Sequence, residues 1–263
     1  MYSYTYDHLT LNGRLGNQLW QTAWQIGSAV KSDGQACIKP DWDYRKYFCV
    51  PDEMFGEPVG QIVDGRTFYY QELYHWEHCQ DLIFDYFQPS HLSWEYMIAN
   101  YPGWLLDMSC HKTAIHVRAG DFLEQPRRFP VPTDRYYAEA MELSKPDTIF
   151  VIFSDNIEYA KMRFKDVRRD MYFVEGIPRP IDPKRRIGDP QDQWDMFLIS
   201  LCDEHIISNS TFSWWGAFLS AEQQAFYPSV WFGPDLVVND SRGIDVKQSW
   251  RDGIPKGWRM IEC

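Results

Sequence analysis

Short apolar runs alternate along this chain with longer amphipathic stretches. Residues 113–117 are β-prone, and 148–153 are continuously apolar, the mark of a strand covered on both faces. Residues 8–12 read as an earlier strand, which leads through Gly13-Arg14-Leu15-Gly16-Asn17 into a helix-like run to Val30. After 148–153, Ser154, Asp155 and Asn156 can cap a helix that continues to about Phe164, and 172–174 form another short strand. Trp194, Phe197, Leu198, Leu201 and Cys202 then recur at i, i+3, i+4, i+7 and i+8, one face of a helix. A strand at 205–208, a loop at 209–211 and a helix at 212–221 complete the pattern. Strands alternating with helices predict a parallel α/β architecture. Residues 112–245 hold enough such units for a Rossmann-like domain, and 1–111 form a smaller, less regular α/β domain. Residues 246–263 are left as a C-terminal segment, a candidate for returning to the first domain.

Composition narrows the class of partner. With 26 Lys and Arg against 37 Asp and Glu the formal charge is −11, which excludes a polyanion-binding surface and with it nucleic acid. A few arginines can still hold one or two phosphates. No apolar run approaches the roughly 20 residues that span a bilayer, and the N-terminus lacks a basic, apolar leader. A cytoplasmic protein, of bacterial or viral-host cytosol, is therefore expected, with no stable membrane insertion. The six cysteines show no CxxC pair and read as reduced thiols. His75, His78, Cys79, Cys110 and His111 are metal-capable, but their spacing fits no standard zinc pattern, so no metal site is expected.

Ligands of parallel sheets bind beyond the C-terminal ends of the strands, where the polar loops of this pattern fall. Three of those loops can carry chemistry. Ser208, Asn209, Ser210, Thr211 and Ser213 cluster at a helix start, where backbone N–H groups and hydroxyls suit an anion. An ordinary N-cap would need only one of them. His116 and Arg118 share one face of their strand, and Arg118 can grip phosphate oxygens while Asp121 holds its guanidinium. A structural Arg–Asp pair at a sheet edge is the alternative. Gly13 and Gly16 lie in a turn entering a helix, permitting close backbone approach by a ligand. That turn is neither a P-loop nor a dinucleotide fingerprint, and the chain has no GxSxG or HExxH motif.

Together and in this order, these segments resemble the α-1,2-fucosyltransferase family. Its G-x-x-G-N-Q-hydrophobic motif stands as Gly13-Arg14-Leu15-Gly16-Asn17-Gln18-Leu19, and its H-V-R-R-G-D-Y motif as His116-Val117-Arg118-Ala119-Gly120-Asp121-Phe122. Its S/A-N-S-T-F-S-W-W-G-A motif is complete from Ser208 to Ala217. Weaker echoes are Tyr86-Phe87-Gln88, Phe153-Ser154-Asp155 and Pro255-Lys256-Gly257-Trp258. The resemblance implies a GT-B-like α/β fold of two Rossmann-like domains facing across a cleft. It further implies an inverting, metal-independent transfer of L-fucose from GDP-fucose to the 2-hydroxyl of a terminal galactose-like residue of a glycan.

By that resemblance Arg118 stabilises the departing diphosphate, with Asn209, Ser210, Thr211 and Ser213 as its cradle and His116 nearby. Gly16 and Asn17 contact the donor from the first domain, and Glu175 pairs with the guanine edge. Asp121 and Glu124 are the nearest carboxylates to the motif, and the general base stays open between them and others. One departure stands out: Ala119 occupies the place of the family's usual second arginine. Arg127 or Arg128 is expected to compensate, with Arg14 and the pair Arg185 and Arg186 as further candidates. A different acceptor or linkage, or an inactive module that binds nucleotide sugars or glycans, are the competing readings.

Overall fold

The computed structural model describes residues 1–6, 13–65, 70–175 and 192–263. The strand expected at 8–12 and the pair Arg185 and Arg186 lie outside them. Among the described residues the chain runs β1 (Tyr2–Thr5), α1 (Leu15–Ser32), β2 (Gln35–Cys37), β3 (Gln61–Asp64), α2 (Gln80–Tyr86), α3 (His91–Asn100) and α4 (Gly103–Leu106). It continues with β4 (Lys112–Val117), α5 (Asp134–Leu143), β5 (Ile149–Ser154), α6 (Ile157–Arg163), β6 (Met171–Phe173) and α7 (Asp192–Ser200). The last elements are β7 (Glu204–Ile206), α8 (Thr211–Phe218), β8 (Gln224–Pro228), α9 (Val246–Ser249) and β9 (Arg259–Ile261).

These residues form two compact units. The first holds 1–100, 192–193 and 238–254, and the second 101–175, 194–237 and 255–263, among the described residues. The segment 246–263 is thus divided: α9 stays with the first unit, whereas β9 pairs with β8 in the second.

The first unit is built on a parallel sheet of order β2-β1-β3, with Tyr4 opposite Ala36 on one side and Val63 on the other. Helix α1 covers it and is buried on most of its circumference, including Leu15, Leu19, Trp20, Ala23, Trp24 and Ile26. Asp33 ends the helix in the left-handed region at φ 52°, its N–H bonded to Ala29 O. Because β2 and β3 flank β1, the strand order reverses between β1 and β3.

The second unit carries a six-stranded parallel sheet of order β6-β5-β4-β7-β8-β9. Strand β4 is buried along its whole length, Lys112, Thr113 and His116 included, as a central strand of a parallel sheet is. Tyr136 and Tyr137 of α5 pack fully buried against Ile115, Val117, Phe150 and Ile152, and each such ring contributes about 1.5–3 kcal/mol through burial. Their hydroxyls are satisfied at strand ends: Tyr136 donates to Ile207 O at 2.6 Å, and Tyr137 to His116 O at 3.2 Å. From β4 the chain builds β5 and β6 to one side and β7 to β9 to the other. The order therefore reverses between β4 and β7, and the C-terminal ends of those two strands flank the crevice where such sheets bind ligands.

Candidate functional site

Both strands that flank this point end in the polar segments singled out in the sequence. At the end of β4, His116 is buried, and its Nδ1 lies 2.8 Å from Ser208 Oγ in the segment after β7. Burial drives its pKa from 6.5 down to about 3, with Asp155 opposing that shift and Arg118 adding to it. The imidazole is therefore neutral at physiological pH.

Arg118 follows with only 12 % of its side chain exposed, and its guanidinium is paired with both Asp121 and Asp155. It also lies 5.1 Å from the centre of the Phe122 ring. Asp155, just beyond β5, does a second job: its Oδ1 accepts the backbone N–H of Ala119 at 2.8 Å and of Gly120 at 3.1 Å. A β-carbon on Gly120 would strike this carboxylate, which explains the glycine. Sequence reasoning read Asp155 as part of a helix cap and missed this role. In the structure the cap is Asn156, whose side chain accepts from Tyr159 N.

The loop from β7 into α8 is built mostly from its own small polar residues. Asn209 donates from Nδ2 to Pro130 O at 2.9 Å and to Trp231 O at 2.8 Å, while its buried Oδ1 has no hydrogen-bond partner among the described residues. Ser213 is buried and turns its hydroxyl to Ser210 O at 3.3 Å. Ser210 is the N-cap, accepting from Phe212 N at 3.3 Å. Ser210 and Thr211 thus stand at the half-buried start of α8, whereas Ser208, Asn209 and Ser213 shape the loop from within. The aromatic end of the motif anchors the helix: Trp214 stacks on Phe218 at 5.1 Å and meets Trp258 at 5.6 Å. Gly216 lets α8 close onto α7, since a β-carbon there would come within 2.5 Å of Ile199 Cγ2.

Other expected residues are placed differently. Ala119 is fully buried in the core cluster beside Tyr136 and Tyr137. Arg127, expected to compensate for the missing arginine, instead pairs with Asp235 at 2.6 and 3.1 Å. Arg128 bonds Gln125 at 3.2 Å and lies 5.8 Å from the Phe129 ring. Glu124 is exposed. Glu175, beyond β6, is two-thirds exposed and meets Lys161 at 2.5 Å.

In the first unit, Gly13 takes a φ of +83°, open to glycine, and precedes α1. Gly16 is buried, and Asn17 Oδ1 accepts from Gln71 Nε2 at 3.0 Å. Gln18 is buried and spans the turn, donating to Gly13 O at 3.1 Å and accepting from Trp42 Nε1 at 2.9 Å.

The six cysteines form no disulfide. Among the described residues, no three His, Cys, Asp or Glu side chains converge as a metal site, and no helix is long and apolar enough to cross a membrane.

The model of glycosyl transferase family 11 matches residues 35–227. An α-1,2-colitosyltransferase from Escherichia coli is 29 % identical over 133 residues, 46 % of this chain and 41 % of that protein. The O-antigen biosynthesis glycosyltransferase WbnK from Escherichia coli is 29 % identical over 136 residues, 47 % of this chain and 40 % of that protein. The match therefore spans about 40 % of the length of these curated relatives. The crystal structure of fucosyltransferase NodZ from Bradyrhizobium aligns with a TM-score of 0.54 at 14 % identity, over 83 % of this chain and 92 % of that one. Parallel α/β sheets and this likeness give the chain a GT-B-like fold, as its motifs implied.

Proposed function

This chain belongs to glycosyl transferase family 11, and from that membership we propose that it transfers L-fucose from GDP-fucose to the 2-hydroxyl of a terminal galactose-like residue, with inversion and without a metal. The observation that carries the reading is the pairing at the switch point of the second sheet, where β4 ends in Arg118 and β7 leads into the capped start of α8. A guanidinium and a helix N-terminus are the two protein groups best suited to a diphosphate.

Departure of GDP places negative charge on the β-phosphate. Donors already aimed at that charge lower the barrier, each by about 3–4 kcal/mol in comparable sites. Arg118 is held for this task by Asp155 behind it, while the half-exposed Asp121 is the partner that gives way when a phosphate arrives. Neutral His116 and Ser208 keep the two strand ends in register. Glu175 exchanges Lys161 for the guanine edge.

A second reading concerns the donor. One relative is named a colitosyltransferase, and colitose is L-fucose without its 3-hydroxyl. GDP-colitose therefore belongs in the same test.

Calorimetric titration in EDTA with GDP-fucose, GDP-colitose, GDP-mannose and UDP-galactose, for wild type and Arg118→Ala, decides the donor. Selective binding of GDP-fucose that disappears in the variant supports the reading. Binding indifferent to Arg118, or no binding, sinks it in favour of an inactive or rebuilt module. An acceptor screen beginning with lactose then tests the linkage.

A further inference from the structure

Arg118 is held along two edges of its guanidinium, by Asp121 on Nη2 and by Asp155 on Nη1. Its face meets an aromatic ring, with the guanidinium carbon 5.1 Å from the centre of Phe122. That ring is itself stacked on Phe129, their centres 5.0 Å apart and their planes 19° apart. The Arg128 guanidinium follows, 5.8 Å from the centre of Phe129. Arg118 and three side chains of the loop after β4 thus form a run of cation, ring, ring and cation, all inside the second unit.

Backbone pairing seats this run. Within the loop, the Leu123 N–H donates to Ala119 O, and the Arg128 and Phe129 N–H groups both donate to Gln125 O, each at 2.9 Å. The segment after β8 fixes the far end. Gly233 N–H donates to Arg128 O at 2.9 Å, and Asp235 N–H to Arg127 O at 3.0 Å. A β-carbon on Gly233 would meet Arg127 O at 2.1 Å, so only glycine permits this pairing. Asn209 completes the seat from the loop between β7 and α8 through its bonds to Pro130 O and Trp231 O. The half-buried Phe122 and Phe129 rings are therefore held by main-chain bonds on both sides of Phe129, and not by the exposed Arg127–Asp235 pair alone.

We propose that Phe122, backed by Phe129, is a positioning residue for Arg118 in donor binding. The inference rests on the donor reading above. When a diphosphate displaces Asp121, the guanidinium loses one of its two edge partners. Asp155 alone then fixes one edge and leaves the plane free to turn about that contact. A ring against the face removes this freedom, because tilting the plane gives up the cation–π attraction. The fork then meets the phosphate oxygens already aligned, and less side-chain freedom is lost on binding. The ring also permits the exchange of Asp121 for phosphate, since it neutralises no charge of its own. In this role Phe122 acts only through Arg118.

The test titrates GDP-fucose into wild type, Phe122→Leu, Phe122→Tyr and Phe129→Leu, with thermal melts on the same samples. Leucine keeps apolar bulk and removes the ring face, whereas tyrosine keeps the face. Phe122→Leu is expected to weaken binding about tenfold, Phe129→Leu about threefold and Phe122→Tyr less than about twofold. In an Arg118→Ala background, Phe122→Leu should change affinity by less than about twofold, because no guanidinium is left to position. A ring that merely fills space would give the leucine and tyrosine variants the same affinity, or the same loss with and without Arg118. Either result overturns the assignment alone. If Phe122→Leu does not fold, Phe129→Leu carries the test, and wild-type affinity in that variant overturns the assignment. Failure of wild type to bind GDP-fucose overturns the donor reading and the assignment with it.

Discussion

His116 Nδ1 lies 2.8 Å from Ser208 Oγ, a bond that ties the end of β4 to the end of β7 inside the second unit. Because burial lowers the His116 pKa from 6.5 to about 3, the folded protein keeps this ring neutral where the unfolded chain protonates it. The folded pKa is the depressed one, so protons favour unfolding. The neutral ring costs no stability above about pH 6.5, and stability falls as the pH drops from there toward 3. One such ring loses about 2 kcal/mol between pH 8 and pH 5. His205, which burial also lowers, adds to the slope. Urea unfolding at both pH values should show the decline, and His116→Gln should lessen it by about that amount. A variant that retains the full wild-type slope would falsify the neutral buried state of His116.

Arg118 has two carboxylate partners and one cationic group. A planar guanidinium can serve Asp155 and a phosphate at once through separate N–H edges, whereas a lysine ammonium is a single point of charge. Arg118→Lys should therefore behave like Arg118→Ala, weakening GDP-fucose binding by about 10-fold to 100-fold. Titration of the three proteins checks this. Near-normal affinity in the lysine variant would mean that charge alone, without geometry, holds the donor.

Legibility in the sequence followed the physics of each element. Strand β5 was readable because helices cover both faces of its sheet, so its sequence is an almost unbroken apolar run, whereas β4 and β7 were read from short β-prone segments that also carry Thr113, His116 and His205. Strand β1 was not, because its buried positions are Ser3 and Thr5, and a hydrophobicity pattern looks for the reverse. Strand β9 has only three residues and is made by pairing with β8, which no local window contains. The site divides in the same way. Arg118 and Ser210 announce themselves by motif and by helix position. The link from Asp155 to Gly120 crosses 35 positions and arises only when β4 and β5 become neighbours. Arg127 and Arg128 were drawn to the missing arginine by proximity in sequence, but Asp235, distant in sequence, holds the first of them.

Gly216 sits where α8 meets α7, with room for no β-carbon beside Ile199. Gly216→Ala should push the two helices apart and cost about 1–3 kcal/mol. It should also weaken GDP-fucose binding, since the start of α8 moves with the helix. Ile199→Ala removes the colliding methyl, so the double variant should be more stable than the sum of the single effects. Thermal melts and titrations on this cycle measure the coupling, and strict additivity would show that the two residues do not meet.

Ala119 stands where the fucosyltransferase motif usually has a second arginine, which suggests that restoring it would strengthen the donor site. The structure argues the opposite. Ala119 has no exposed surface, packs beside Tyr136 and Tyr137, and gives its N–H to Asp155. An arginine there must either force a charge into an apolar cluster or pry α5 from the sheet, and both are costly. Ala119→Arg should therefore lose at least about 3 kcal/mol of stability, with no gain in affinity for GDP-fucose. Ala119→Ser, which adds only a hydroxyl, should lose far less. Denaturant unfolding and titration on the two variants separate the possibilities. An arginine variant as stable as wild type and tighter for the donor would mean that the core beside β4 opens to admit the side chain, and that Ala119 marks a contact this chain has given up.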